Sequence, residues 1–232
     1  MDSGLHRQHD AGRAQMSDVL GITPALDGAV LRLRLNRPKA NIVDAEMIAA
    51  LDAALGKAEG NTDLVAVLIE AEGPHFSFGA SVEEHLPDSC AEMLAALHAL
   101  VRRMLEFPVP VLVAVRGQCL GGGLEVAMAG HRIYSAPDAN LGQPEMMLGV
   151  FAPAASCLMP ERMGQTMAED LLYSGRSISG EEAEQVGLVD MVDPEPEAAA
   201  LAFAETHLKP KSASSLPMAV KSARADFCRR IA

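Results

Sequence analysis

Three consecutive glycines, Gly121, Gly122 and Gly123, stand between a short apolar run, Val111 to Val115, and a stretch of helical character that begins near Leu124. A junction without side chains lets the backbone turn tightly, or lets another group approach it, and the sequence supports both readings equally. In the second reading the free amides at a helix start, with the helix dipole, favour negative charge developing on a ligand. The spacing matches neither G-x-G-x-x-G in a dinucleotide-binding unit nor G-x-x-x-x-G-K-[ST], which disfavours a nucleotide-phosphate cradle.

Two carboxylates follow this junction in the chain. Glu125 follows Leu124 and is trailed by Val126, Ala127 and Met128. In a first helical turn it either complements the dipole or serves as a functional acid in apolar surroundings. Glu145 lies in Gly142-Gln143-Pro144-Glu145 and is followed by Met146, Met147 and Leu148. A pocket explains a carboxylate in that company, and burial there suits it to proton transfer near neutrality. A second small-residue loop, His75 to Ser81, also follows an apolar run. Backbone amides from the two loops would form an oxyanion hole if they converged on one carbonyl, which composition and spacing leave open.

Strand and helix patterns alternate along the chain, so the fold class is α/β with much parallel pairing. Ala29 to Leu35 alternates apolar and basic residues as a half-exposed strand does, while Leu64 to Ile69 is wholly apolar and reads as a strand covered on both faces. From Asp44, Met47, Ile48, Leu51, Ala54 and Leu55 share one helical face. A second helix, opened by a Ser89/Glu92 capping box, carries Met93, Leu97, Leu100, Val101 and Met104 and ends at Pro108 and Pro110. Val111 to Val115 and Ile133 to Ser135 are further strands. Beyond Pro153 the chain is mostly helical, with capping boxes at Thr166/Glu169 and Ser179/Glu182. Val186 to Val189 reads as a helix stop and short strand, Asp193 to Pro196 as a loop, and Glu197 to Leu208 and Ser212 onward as two closing helices.

Residues 1–15 are polar, carry no signal or anchor pattern, and are expected to form a flexible extension, with Met16 an alternative start. The formal charge of −12 disfavours nucleic acid and anionic membrane as partners. The cysteines at 90, 119, 157 and 228 show no paired spacing, which points to reduced thiols and a cytoplasmic protein. No metal site is expected. His131 reads as structural, Cys119 lacks a base partner, and Glu83-Glu84-His85 reads as a solvated helix start. The 13 methionines suit a core short of aromatics.

Asn36-Arg37-Pro38-Lys39-Ala40-Asn41, Phe76-Ser77-Phe78-Gly79-Ala80-Ser81, the run from Gly117 to Pro137 and Leu141 to Gly149, in this order and spacing, resemble the crotonase (enoyl-CoA hydratase/isomerase) family over residues 19 to about 225. The resemblance implies a superhelix of ββα turns over residues 16–192 followed by a helical segment, 193–232, and a homotrimer or dimer of trimers. It implies an acyl-CoA thioester as substrate and no separate cofactor. Carried over by position, the oxyanion donors are the amides of Ala80 and Gly122, and Lys39, Ala40, Ser81, Val82, Gly121 and Phe151 contribute to binding the CoA thioester. Glu125 and Glu145 match the pair found in members that hydrate a double bond. Glu125 would activate water and Glu145 protonate the enolate carbon, the exchanged roles being chemically open. Ser81 replaces the usual aspartate, and Phe151-Ala152-Pro153-Ala154-Ala155-Ser156 replaces a glycine-rich stretch. Both variants are similar to those of members that hydrate a cyclic dienoyl thioester in anaerobic aromatic degradation. A general enoyl-CoA hydratase and a double-bond isomerase are the alternatives. An RNA-binding relative without catalysis is disfavoured by the charge. Members of the family continue past the position of Ala232 with further helix, so by the resemblance either the tail is shortened or the sequence stops before it.

Overall fold

The computed structural model describes residues 15–16, 19–81, 90–212 and 214–231. Its strands are β1 (Gln15–Met16), β2 (Leu20–Ala25), β3 (Val30–Leu35), β4 (Ala66–Ala71), β5 (Val111–Val115), β6 (Gln118–Leu120), β7 (Arg132–Ser135), β8 (Asn140–Gly142), β9 (Ser177–Ser179) and β10 (Met191–Val192). Its helices are α1 (Ala45–Ala58), α2 (Cys90–Glu106), α3 (Gly122–Ala129), α4 (Pro153–Met163), α5 (Gln165–Ser174), α6 (Gly180–Gln185), α7 (Pro196–Phe203) and α8 (Ser215–Ile231).

Seven strands form one sheet in the order β1-β2-β3-β4-β5-β7-β10, parallel from β3 onward. β4 and β5 are apolar on both sides because both faces are covered. On one face they meet α1, α2 and α3; on the other, Leu68, Leu112 and Tyr134 pack with Ala200 and Ala204 of the α7 region. The alternation in β3 also holds, but its basic residues do not simply face water. Arg32 and Arg34 both reach the buried carboxylate of Glu70 on β4, at 2.8 and 2.7 Å. A buried charge is tolerated when its lone pairs are filled in this way.

A smaller sheet, β6-β8-β9, stands beside the first. β6 feeds directly into α3, and β8 runs parallel to it, so the strand ends that precede Gly121 and Gln143 are brought side by side.

The apolar faces expected for α1 and α2 are the buried ones. Asp44 caps α1 by accepting from the Met47 amide at 2.9 Å, and Ser179 caps α6 by accepting from Glu182. Ser89 lies outside the described residues. The Thr166/Glu169 capping box does not form: the N-cap of α5 is Gly164, two residues before Thr166, and no side chain caps it. Glu169 instead accepts from Gln165 at 2.7 Å. The strand expected at Val186 to Val189 lies later in the chain, at Met191–Val192. The Val189 amide returns to the Ala183 carbonyl at 3.1 Å and closes the end of α6, so sheet pairing starts only with Asp190, which donates to Ile133. The methionines divide: Met47, Met93, Met104, Met128 and Met159 fill the core, whereas Met146, Met147, Met191 and Met218 are exposed.

Candidate active site

The loop after β4 is fastened along both edges. Ser77 donates to Gln118 and accepts from Leu120, zipping the loop to β6. On the other edge Phe78 donates to Ala40 and Val43 donates to Gly79, each at 2.9 Å. Gly79 adopts φ +111, a value side chains resist, and its amide donates to Ser77 Oγ. Ala80 is thereby held against the start of α3.

The three glycines answer to three different demands. Gly121 turns the chain with φ +51, and a Cβ there would lie 2.5 Å from Glu145 Oε1. Gly122 opens α3 in ordinary helical geometry, and a Cβ on it would lie 3.2 Å from the Ala80 amide nitrogen. Gly123 packs on buried Ser77, whose Oγ would be 2.6 Å from an added Cβ. The turn and the close approach, alternatives in the sequence, are both present on adjacent residues. Among the described residues, the amides of Ala80 and Gly122 find no hydrogen-bond acceptor.

Glu125 lies in the first turn of α3 and is 4% exposed. Its Oε1 accepts from the Ala155 amide at 2.8 Å, so the first turn of α4 holds the carboxylate in place. Glu145 sits on a 3-10 turn, Pro144–Leu148, directly after β8, and is half-buried. A cavity of about 320 Å³ is bordered by Ala80, Gly122, Glu125 and Glu145, with Leu97, Phe151 and Pro153 among its apolar walls. The structure therefore gathers Ala80, Gly122 and the two glutamates around one space.

The remaining expected residues stand further out. Gly121 backs Glu145, and Phe151, 68% exposed, lies at the cavity rim. Exposed Lys39 and half-buried Ala40 lie along the outer edge of the Phe78–Ala80 loop, and Ser81 continues that loop. Val82 and the Glu83-Glu84-His85 cluster lie outside the described residues.

His131 is structural, as expected. Its Nδ1 accepts from the Val111 amide at 3.0 Å, and burial, with Arg224 and Arg162 nearby, pushes its pKa down to about 3. Burial pushes the Cys119 thiol up, which removes it as a nucleophile. Among the described residues, no group of His, Cys, Asp or Glu is arranged to hold a metal ion, and no helix is long and apolar enough to cross a membrane.

Sequence reading missed two supports of the site. Gln143, 1% exposed, donates from Nε2 to the Gly121 carbonyl at 3.2 Å, and the Glu125 amide donates to that same oxygen. The peptide unit so held is the one whose amide belongs to Gly122. At the far end of α3, Arg162 donates to the carbonyls of Met128 and Gly130, and Arg224 to those of Gly130 and His131. Cations at a helix C-terminus satisfy its last carbonyls and oppose its dipole. Only the adjacency of Gln143 to Glu145 offered a signal. The arginines are 32 and more residues from their acceptors.

Comparison with known proteins gives a consistent result. Residues 26–230 match the family described as enoyl-CoA hydratase/isomerase. The chain is 61% identical over 218 residues to cyclohexa-1,5-dienecarbonyl-CoA hydratase of Thauera aromatica, covering 94% of this chain and 84% of that one. It is 35% identical over 175 residues to a probable enoyl-CoA hydratase of Bacillus subtilis (strain 168), covering 73% and 68% of the two chains. The crystal structure of enoyl-CoA hydratase from Thermoplasma volcanium GSS1 superimposes with a TM-score of 0.84 at 28% identity, over 91% of this chain and 85% of that one. The α/β superhelix expected from the resemblance is the fold observed.

Proposed function

The chain belongs to the enoyl-CoA hydratase/isomerase family, and from that premise we propose that it adds water to a cyclic dienoyl-CoA thioester, cyclohexa-1,5-diene-1-carbonyl-CoA being the substrate of choice. The observation that carries the reading is that Glu125, Glu145, Ala80 and Gly122 line one cavity. The thioester oxygen lies between the two amides. They stabilise it as it gains negative charge, each such donor being worth about 3–4 kcal/mol of barrier. Glu125, oriented by the Ala155 amide, takes a proton from water so that its oxygen can attack carbon. Glu145 gives a proton to the enolate carbon. The chemistry needs no cofactor beyond the CoA of the substrate.

Lys39, Ala40, Ser81 and Val82 embrace the CoA moiety, Phe151 borders the acyl group, and Gly121 supports the site from behind Glu145. Residues 16–192 act as the catalytic core. The protein works in the cytoplasm as a homotrimer or dimer of trimers, a setting that suits the free cysteines among the described residues.

The test compares hydration of the cyclic dienoyl thioester with that of crotonyl-CoA, and measures Glu125→Gln and Glu145→Gln on the better substrate. Each substitution is expected to lower kcat by at least about a hundredfold, in line with the loss of a positioned general acid or base. Much faster turnover of crotonyl-CoA would remove the cyclic substrate. Activity unaffected by both substitutions would remove the mechanism.

A further inference from the structure

The cavity that holds Glu125 and Glu145 ends against a second one. On α2, Cys90, Leu94 and Leu97 follow one another at helical spacing along the first cavity. Val101, one turn further on, lies in a cavity of about 360 Å³ that is bordered also by Ala154, Cys157 and Leu158 of α4. Leu97 and Val101 are about 6 Å apart along the helix axis, so the two cavities follow each other along the seam between α2 and α4. Pro153 belongs to both walls, while Leu97 borders the first cavity and its neighbour His98 the second. Arg102 and Cys157, both exposed, border the second cavity and open it to solvent.

The partition between them is stiff. Leu97 is 1% exposed and packed within the main core, which leaves it little room to change rotamer. Pro153 is the first residue of α4, a position that suits its fixed φ, and its closed ring cannot swing aside. The same helical turn carries the Ala155 amide that holds Glu125 Oε1 at 2.8 Å. A group that pushed Pro153 back would carry that amide with it and turn the carboxylate away from its water. Beyond the partition, Val101, Ala154 and Leu158 make a buried apolar lining that suits a hydrocarbon chain.

We propose that Pro153, backed by Leu97, is the specificity-determining wall of the acyl site: it admits a short, wide acyl group such as a ring and denies a longer chain the second cavity. The inference rests on the hydratase reading above. A cyclic acyl group stops before the partition, whereas a long straight chain has to pass it. Because the wall and the support of Glu125 belong to one helical turn, an oversized acyl group loses in kcat as well as in KM.

The test opens the wall and then blocks the space behind it. The quantity read is kcat/KM for trans-2-decenoyl-CoA divided by that for a reference, the reference being whichever of the cyclic dienoyl thioester and crotonyl-CoA the wild type hydrates faster. Pro153→Ala removes the ring and keeps a residue that suits a helix. A buried methylene is worth about fourfold in affinity, so two that enter the second cavity raise the ratio at least about tenfold. The kcat for the long chain is expected to rise with it. Adding Cys157→Phe, which borders the second cavity and not the first, is expected to cancel the gain. A wild type whose kcat/KM for the long chain is within about threefold of the reference overturns the proposal. So does an unchanged ratio in Pro153→Ala folded by circular dichroism, or a gain that survives Cys157→Phe. Pro153→Ser, equally without the ring, is read by the same ratio and carries the same refutation if Pro153→Ala fails to fold. A wild type that hydrates neither reference refutes the hydratase reading instead, a failure seen before any variant is made.

Discussion

Gly122→Ala separates what Gly122 does for the fold from what it does for the thioester. The residue opens α3 in ordinary helical geometry, so alanine meets no backbone strain there. Replacing glycine by alanine in a helix gains up to about 1 kcal/mol. Against that, the new methyl stands 3.0 Å from the Ala80 Cβ, a few tenths of an ångström tighter than ordinary contact. Small overpacking of this kind costs about 1 kcal/mol, so the net effect on stability is close to zero. The effect on activity is not. The methyl also stands 3.2 Å from the Ala80 amide nitrogen, in the space an oxyanion must occupy at about 2.7–3.1 Å from each donor. Losing one donor lowers kcat by about 10²–10³, or about 3–4 kcal/mol. The measurement pairs urea unfolding with hydration kinetics on the same preparation. A folded variant with kcat within about threefold of wild type would refute the assignment of Gly122 to the oxyanion site. A loss of about 2 kcal/mol or more in stability would show that packing against Ala80, rather than the ligand, sets the need for glycine.

Gly123→Ala acts in the opposite sense: its Cβ would lie 2.5 Å from the Ser77 Cβ with both residues buried, so unfolding free energy should fall by about 1–3 kcal/mol, read by urea denaturation. Arg162→Met removes the bonds to the Met128 and Gly130 carbonyls that end α3 and should cost about 2–3 kcal/mol in the same assay. His131 predicts a pH dependence. Its folded pKa, pushed down to about 3, lies below the unfolded value of about 6.5, so the unfolded state binds the extra proton between them. Stability is therefore fully present above about pH 6.5 and falls by up to about 1.4 kcal/mol per pH unit as the pH drops toward 3. His131→Gln should lower the slope of unfolding free energy against pH by about one proton in that window, and an unchanged slope would refute it.

The parts of the fold legible in the sequence are those set by local period and local chemistry. The buried faces of α1 and α2, the doubly covered β4 and β5, and the caps at Asp44 and Ser179 each depend on residues within a turn or two of one another. What was not legible depends on residues far apart. Nothing around Arg34 reveals that Glu70 will stand opposite it, since the pairing needs the β3-to-β4 register. Thr166 carries the right letter for a cap, but the Gly164 turn starts the helix two residues too early for it to serve. The site shows the same division. Glu125, Glu145 and the glycines were visible as types in a spacing, whereas the Ala155 amide that orients Glu125 belongs to a different helix and has no side-chain signature at all.

The same division of scale explains how an acidic chain can stabilise a developing anion. The formal charge is −12, and two carboxylates border the cavity itself. The cations that favour negative charge, Arg162 and Arg224, act at the opposite end of α3. That helix has 8 residues, and at about 1.5 Å per residue they stand about 12 Å away. At an effective dielectric of about 20, a unit charge at that distance contributes about 1.4 kcal/mol. An amide in contact with the oxyanion contributes about 3–4 kcal/mol, and two are present. Contact geometry therefore outweighs net charge at this site. The feature that sets contact geometry is the absence of a side chain at Gly122, with Gly121 turning the backbone into place. This is why a run of three glycines carries more information about the chemistry than the charge of the whole chain.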